Sequence, residues 1–134
     1  MERNAMLKER STDVASVLVI DDSEGDALLA ELVLKENLEH ARIDHSSDGV
    51  HALELLRTKT YDLVLLDLSM PGLSGFDVLQ ELSTRPDFVS RVVVLTSSTR
   101  ESDRARVAAY GCEYIEKHTD FGIFRRSIAH ALAA

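Results

Sequence analysis

Three short aliphatic runs constrain the fold of this chain more than any other feature of its sequence. They are Val17–Ile20, Leu63–Leu66 and Val92–Leu95, each four residues long and flanked by charged or turn-forming residues. Short runs rich in β-branched residues are typical of strands in a parallel sheet that is covered on both faces. Each run is far shorter than the roughly 20 apolar residues of a membrane-spanning helix. The pattern therefore predicts a buried parallel sheet and no insertion into a membrane.

Two weaker strands and five helical stretches complete an alternating pattern. Weak strands are predicted over residues 41–45 and 113–116. Helices are predicted after Ser23, after Asp48, over Phe76–Leu82, over Ser102–Tyr110 and after Thr119 or Asp120. Gly111 follows the fourth helix, where a left-handed residue commonly ends a helix. Strand and helix alternate five times, which predicts a doubly wound α/β domain.

The first helix is indicated by apolar residues that follow an acidic first turn. Ser23 can cap it, and Glu24 and Asp26 lie where the positive end of the helix dipole favours carboxylates. The apolar residues are Leu28, Leu29, Leu32 and Val33. The sequence alone indicates only that Asp26 is an acid that complements the helix dipole.

Length and composition favour one intracellular domain. The chain has 134 residues and a net charge of -8, which fits a single domain and argues against binding nucleic acid through its phosphates. The single cysteine, Cys112, excludes an intramolecular disulfide and a zinc site built from cysteines. We expect a flexible arm over residues 1–13, which has no secretory signal, and a cytoplasmic domain over residues 14–134.

Polar side chains follow the carboxyl ends of four predicted strands. Asp21 and Asp22 follow the first strand, and Asp67, Thr96 and Lys117 each follow a later one. In an open parallel sheet, ligands bind outside the carboxyl ends of the strands. We therefore expect three carboxylates, a hydroxyl and an ammonium to converge at one edge of the sheet.

These residue types indicate phosphoryl transfer that is assisted by a metal ion. Oxygen ligands suit Mg²⁺, whereas the absence of His and Cys at these strand ends argues against zinc. Lys117 can supply a positive charge to a phosphate oxygen, and Thr96 can donate a hydroxyl hydrogen bond. A carboxylate can itself act as the nucleophile and form an aspartyl phosphate.

Four ordered motifs resemble those of the receiver domain of two-component response regulators. They are Val-Ile-Asp-Asp-Ser at 19–23, Leu-Leu-Asp-Leu-Ser-Met-Pro-Gly-Leu-Ser-Gly at 65–75, Leu-Thr-Ser-Ser at 95–98 and Tyr-Ile-Glu-Lys at 114–117. The resemblance extends from Val17 to Leu132. It implies a flavodoxin-like fold, with a five-stranded parallel sheet of order 2-1-3-4-5 and five helices.

The resemblance also implies a role for each residue of the site. Asp67 would be the phosphoacceptor, and Lys117 would hold a phosphate oxygen together with Thr96. The Mg²⁺ ligands would be the side chains of Asp21, Asp22 and Asp67 and the backbone carbonyl of Ser69.

Signal transmission would depend on a second group of residues. Thr96 would move toward the phosphate while Tyr114 turns inward, which biases a surface formed by the fourth helix, fifth strand and fifth helix. Ser69 and Ser98 occupy the positions that tune dephosphorylation in such domains.

His118 stands where the family usually has a proline that follows a cis bond. A cis bond before a residue other than proline costs about 2.5–4 kcal/mol, which favours the trans form here.

The implied function is that of a single-domain response regulator, not an enzyme. It would receive its phosphoryl group from a sensor histidine kinase or a phosphotransfer protein. It would then bind an unknown protein partner, pass phosphate onward in a relay, or form a homodimer through the switch surface.

Two alternatives remain open. One is a pseudo-receiver that binds partners without phosphate. The other is a haloacid-dehalogenase-type phosphatase, which requires Asp-x-Asp where this chain has the adjacent pair Asp21 and Asp22.

Overall fold

A computed structural model describes residue 14, residues 16–88 and residues 90–133. Strands and helices alternate in the order β1 (Ser16–Ile20), α1 (Glu24–Asn37), β2 (Arg42–Ser46), α2 (Gly49–Thr58), β3 (Leu63–Leu66), α3 (Gly75–Ser83), β4 (Arg91–Thr96), α4 (Glu101–Ala109), β5 (Glu113–Glu116) and α5 (Phe121–Ala133). The expected flexible arm, residues 1–13, lies outside the described residues.

The five strands form one parallel sheet in the order β2-β1-β3-β4-β5. This order confirms the flavodoxin-like fold that the motifs implied. The register pairs Ile20 with Ser46 of β2 and with Leu66 of β3, and Leu66 in turn pairs with Val94. Because neighbouring strands end almost level with one another, the residues that follow them meet at one edge of the sheet.

Two apolar clusters cover the two faces of the sheet. Alternate side chains of β1 divide between them, since successive residues of a strand point to opposite faces. Val17 and Val19 pack in the cluster that contains α1 and α5. Leu18 and Ile20 pack in the cluster that contains α2, α3 and α4. Burial on both sides explains why residues 17–20 of β1 and the whole of β3 are aliphatic.

Side-chain caps place the helix starts close to the strand ends. Ser23 accepts a hydrogen bond from the backbone of Asp26, and Asp48 accepts one from His51. For α5, the backbone N–H of Ile123 donates to Asp120 Oδ1 at 3.0 Å, so the cap is Asp120 and not Thr119. At the other end of α4, Gly111 has the expected left-handed conformation, with φ of 76°.

Helix α1 buries a different set of side chains from the one that indicated it. Of its four large apolar markers only Val33 is buried, whereas Leu28, Leu29 and Leu32 are exposed. The buried face consists of Ala27, Ala30, Val33 and Leu34. No helix in the described part of the chain is long and apolar enough to cross a membrane.

Candidate functional site

Three carboxylates gather at the carboxyl edge of the sheet, as the sequence predicted. One carboxylate oxygen from each of Asp21, Asp22 and Asp67 can be chosen so that all three lie within 4.8 Å of one another. The backbone N–H of Asp21 donates to Ser46 O at 3.0 Å, and that of Asp67 donates to Ile20 O at 2.9 Å. The sheet hydrogen bonds thus continue past the strand ends and hold two of the acids in place. Asp21 and Asp67 are buried, whereas Asp22 is exposed.

Lys117 brings a positive charge into this cluster. Its backbone N–H donates to Thr96 O at 2.7 Å, which continues the pairing of β4 with β5. Its Nζ lies 2.8 Å from Asp21 Oδ2, 2.9 Å from Asp26 Oδ2 and 3.4 Å from Asp67 Oδ2. An ammonium carries three N–H donors, and here it meets three carboxylates.

Burial and charge shift the protonation of Asp67 and Lys117. Burial raises the pKa of Asp67 to about 6, with the positive charge of Lys117 opposing the rise and the negative charge of Asp21 adding to it. A hydrogen bond from the Ser69 backbone to Asp67 Oδ1, at 3.3 Å, also opposes it. Burial alone would lower the pKa of Lys117, but the hydrogen bonds to Asp21 and Asp26 outweigh it and raise that pKa. The site contains more carboxylates than ammonium groups, so its net charge is negative. A negative site of this kind suits a bound cation.

The loop that carries Asp67 lies tightly against the start of α3. The backbone N–H of Gly75 donates to Leu68 O at 3.1 Å. A Cβ on Gly75 would lie only 2.7 Å from the Leu68 Cα and would also collide with the Asp67 carbonyl. Glycine is therefore required at this position by the close approach of two backbone segments.

Thr96 and Tyr114 are connected through one loop residue, Ser98. Thr96 is buried, and its hydroxyl accepts a hydrogen bond from the Ser98 backbone at 3.3 Å. The Tyr114 hydroxyl donates to Ser98 O at 2.5 Å. Ser98 Oγ donates to Asp103 Oδ2 at 2.6 Å, and the Arg104 guanidinium lies 4.4 Å from the centre of the Tyr114 ring. The two predicted switch residues thus share a loop, and the hydrogen bond that the Thr96 hydroxyl accepts comes from that loop.

The peptide bond between Lys117 and His118 is trans, in line with the expectation for a residue other than proline. The His118 side chain is exposed and lies beside a small cavity of about 50 Å³ that Asp26, Leu29 and Lys117 also line. His118 and Lys117 therefore border the same cavity.

Two residues near the site were not found from the sequence. Asp26 looked like an ordinary acid of a helix start, although it is the third residue of α1 and can therefore point back toward the strand ends. His45 places Nε2 at 2.9 Å from the backbone carbonyl oxygen of Asp21. The only sequence signal for His45 is its place near the end of β2, which becomes informative once β2 is known to lie beside β1.

Comparisons with known proteins agree with this geometry. The family model described as the response regulator receiver domain matches residues 17–128. The response regulator ArlR of Staphylococcus saprophyticus is 29% identical over 108 residues, which cover 80% of this chain and 47% of that protein. The chain thus spans about half the length of this relative.

Solved structures support the same fold. The phosphorylated cyanobacterial phytochrome response regulator RcpA superimposes with a TM-score of 0.81 at 24% identity, covering 88% of this chain and 91% of that one. The Mn²⁺-bound form of response regulator Rcp1 superimposes with a TM-score of 0.79 at 27% identity, covering 87% of this chain and 90% of that one.

Proposed function

Because the chain belongs to the response regulator receiver domain family of two-component systems, we propose that Asp67 accepts a phosphoryl group. Receiver domains interact with histidine kinases or phosphotransfer proteins, so the donor would be a phosphorylated histidine of such a protein. The observation that carries the proposal is the position of Asp67, which lies beside two further carboxylates and 3.4 Å from the ammonium of Lys117.

The donor atoms of the site fit Mg²⁺. The candidate ligands are all oxygens, namely the side chains of Asp21, Asp22 and Asp67 and the backbone carbonyl of Ser69. Mg²⁺ prefers oxygen ligands and retains waters, and the exposure of Asp22 leaves one side of the cluster open to water. The Mn²⁺-bound form of Rcp1 supports a divalent cation here. When bound, the ion would neutralise negative charge on the phosphoryl oxygens.

Asp67 would act as the nucleophile. Its pKa of about 6 leaves the carboxylate largely ionised at neutral pH. One carboxylate oxygen would form a bond to phosphorus while the bond from phosphorus to the donor nitrogen breaks, and the histidine leaves. Lys117 would hold a phosphoryl oxygen by a charge-assisted hydrogen bond. Thr96 would hold a second oxygen through its hydroxyl.

The switch would pass through Thr96, Ser98 and Tyr114. If the Thr96 hydroxyl turns toward a phosphoryl oxygen, it must give up its bond from the Ser98 backbone. The same loop holds the Tyr114 hydroxyl through Ser98 O, so the tyrosine would respond. The surface of α4, β5 and α5 would then favour a different partner, or a second copy of the chain.

Three further parts of the proposal depend on the same site. Ser69 and Ser98 would tune dephosphorylation through their small side chains. Residues 14–134 would form the receiver domain of a cytoplasmic signalling protein. It would act by partner binding or as a step in a phosphorelay, without turnover of a separate substrate.

The test is phosphoryl uptake from acetyl phosphate in the presence of Mg²⁺, measured by intact-protein mass spectrometry. We expect one phosphoryl group on the wild-type chain and none on Asp67→Asn. Glu54→Gln, an exposed carboxylate change on α2, serves as the control and should take up phosphate normally. Chelation of Mg²⁺ should abolish uptake. Failure of the wild type to gain mass would favour a phosphate-independent pseudo-receiver, and sustained turnover of a generic phosphate ester in the presence of Mg²⁺ would favour a phosphatase.

A further inference from the structure

We propose that Asp26 is a positioning residue that shares the ammonium of Lys117 with Asp67 and limits how strongly Lys117 holds a phosphoryl group. Asp26 would be the partner that Lys117 releases when Asp67 is phosphorylated. This inference rests on the proposed function, because it concerns the same site.

The first step is the geometry of Lys117. Its Nζ lies 2.9 Å from Asp26 Oδ2 and 3.4 Å from Asp67 Oδ2, so it is closer to Asp26 than to the proposed phosphoacceptor. The third contact, to Asp21 Oδ2, is 2.8 Å long. Three carboxylates thus surround the ammonium, and the lysine side chain is only 12% exposed. A phosphoryl group on Asp67 would therefore share Lys117 with the two carboxylates that are not phosphorylated, Asp21 and Asp26.

The second step concerns which partner can leave. The Asp21 side chain is 4% exposed, so water cannot readily replace the ammonium there. The Asp26 side chain is 43% exposed, and water can replace the ammonium there at little cost. Of these two carboxylates, Asp26 is therefore the one whose release costs less.

The third step is that the contact is specific to Asp26. Its backbone N–H donates to Ser23 Oγ at 3.3 Å, which completes the cap of α1 and leaves the carboxylate to reach Lys117. Asp26 and Lys117 are 91 residues apart in the chain, so this ion pair also ties the start of α1 to the end of β5. Glu24 lies in the same first turn and is exposed, and among the described residues it has no recorded ion pair. Glu24 is therefore a matched control for loss of one negative charge from this turn.

The experiment compares Asp26→Asn with Glu24→Gln for binding of beryllofluoride in the presence of Mg²⁺, measured by calorimetry. Beryllofluoride serves as the probe because it mimics a phosphoryl group on a carboxylate. We expect Asp26→Asn to bind it about two- to fivefold more tightly than the wild type, the range for loss of a partly exposed competing pair. Glu24→Gln should bind like the wild type, and Asp26→Glu should restore most of the wild-type affinity.

A second measurement separates positioning from general stability. The ammonium ¹H–¹⁵N resonance of Lys117, identified by its loss in Lys117→Arg, should shift in Asp26→Asn and stay in place in Glu24→Gln. Equal affinities and an unmoved resonance in Asp26→Asn would overturn this inference while leaving the proposed function intact. An equal gain in Glu24→Gln would also overturn it, because the cause would then be net charge alone. Failure of the wild type to bind beryllofluoride or to take up phosphate would overturn the proposed function as well.

Discussion

The carboxylate of Asp67 lies 3.4 Å from the ammonium of Lys117, although fifty residues separate the two in the chain. Their approach depends on the strand order, since Asp67 follows β3, Lys117 follows β5, and β4 lies between them. The side chain of Lys117 has to extend across the end of β4 to reach the acid. The site is therefore a property of the whole sheet edge and of no single motif.

Removal of the Asp67 charge should stabilise the chain at neutral pH in the absence of metal. The folded-state pKa of about 6 lies above the ordinary aspartate pKa of 3.8, so folding favours the protonated form. This contribution to stability is fully present below pH 3.8 and is lost as pH rises through 6. A shift of this size corresponds to at most about 3 kcal/mol at pH 7.

We therefore expect Asp67→Asn to raise the free energy of unfolding at pH 7 by about 1–3 kcal/mol, measured by urea unfolding in chelator. The difference between variant and wild type should shrink as pH falls from 7 to 4. A gap that is independent of pH, or a variant less stable than the wild type, would contradict the electrostatic account of the buried acid.

Addition of Mg²⁺ should stabilise the wild-type chain through the carboxylate cluster. A ligand that binds only the folded state at a hundred times its dissociation constant contributes about 2.7 kcal/mol. We expect Asp22→Asn to lose most of the Mg²⁺-dependent rise in melting temperature, because it removes one oxygen ligand. Glu54→Gln should keep the rise. Equal responses of both variants would place the ion elsewhere.

Gly75 should tolerate no side chain. A Cβ there would collide with the loop that follows Asp67, so we expect Gly75→Ala to cost about 1–3 kcal/mol of stability and to slow phosphoryl uptake. At Gly25 in α1, the position of the missing Cβ has no heavy atom within 4 Å apart from the chain neighbours and the helix's own backbone. Gly25→Ala should therefore be neutral or gain up to about 1 kcal/mol. Urea unfolding of the pair measures both effects, and similar values would contradict the close approach.

Loss of the Tyr114 hydroxyl should uncouple the switch without blocking phosphorylation. Tyr114→Phe removes the hydrogen bond to Ser98 O, which should cost about 0.5–1.5 kcal/mol of stability. We expect phosphoryl uptake to stay near the wild-type level, while the amide NMR shifts that beryllofluoride causes in α4 become smaller. Tyr110→Phe is the control, since its hydroxyl bonds the exposed Gln80 side chain. Wild-type shifts in Tyr114→Phe would remove this tyrosine from the switch.

The sheet and the strand-end acids could be predicted because local patterns determine both. Val17–Ile20 and Leu63–Leu66 are short aliphatic runs, and any parallel arrangement puts Asp21 and Asp67 at the same edge. The caps at Ser23 and Asp48 were also found, since capping depends on residues only three apart.

Other features depend on tertiary placement and could not be predicted in this way. Asp26 meets Lys117 only because the fold brings the start of α1 within reach of the Lys117 side chain, a contact that helix periodicity does not contain. Leu28 and Leu32 suggested a buried face, yet α1 packs through Ala27 and Ala30, whose small side chains face the apolar cluster instead. Hydrophobicity indicated the helix correctly but not which of its faces is covered.

The most direct test of the central proposal is to locate the phosphoryl group. The wild-type chain is phosphorylated with acetyl phosphate and Mg²⁺, then reduced with borohydride, which converts an aspartyl phosphate to homoserine. Tandem mass spectrometry of the peptides identifies the position. We expect homoserine at the position of Asp67 alone. Homoserine at the position of Asp21 or Asp22, or a phosphorylated chain with no homoserine at all, would contradict the assignment of Asp67 as the phosphoacceptor.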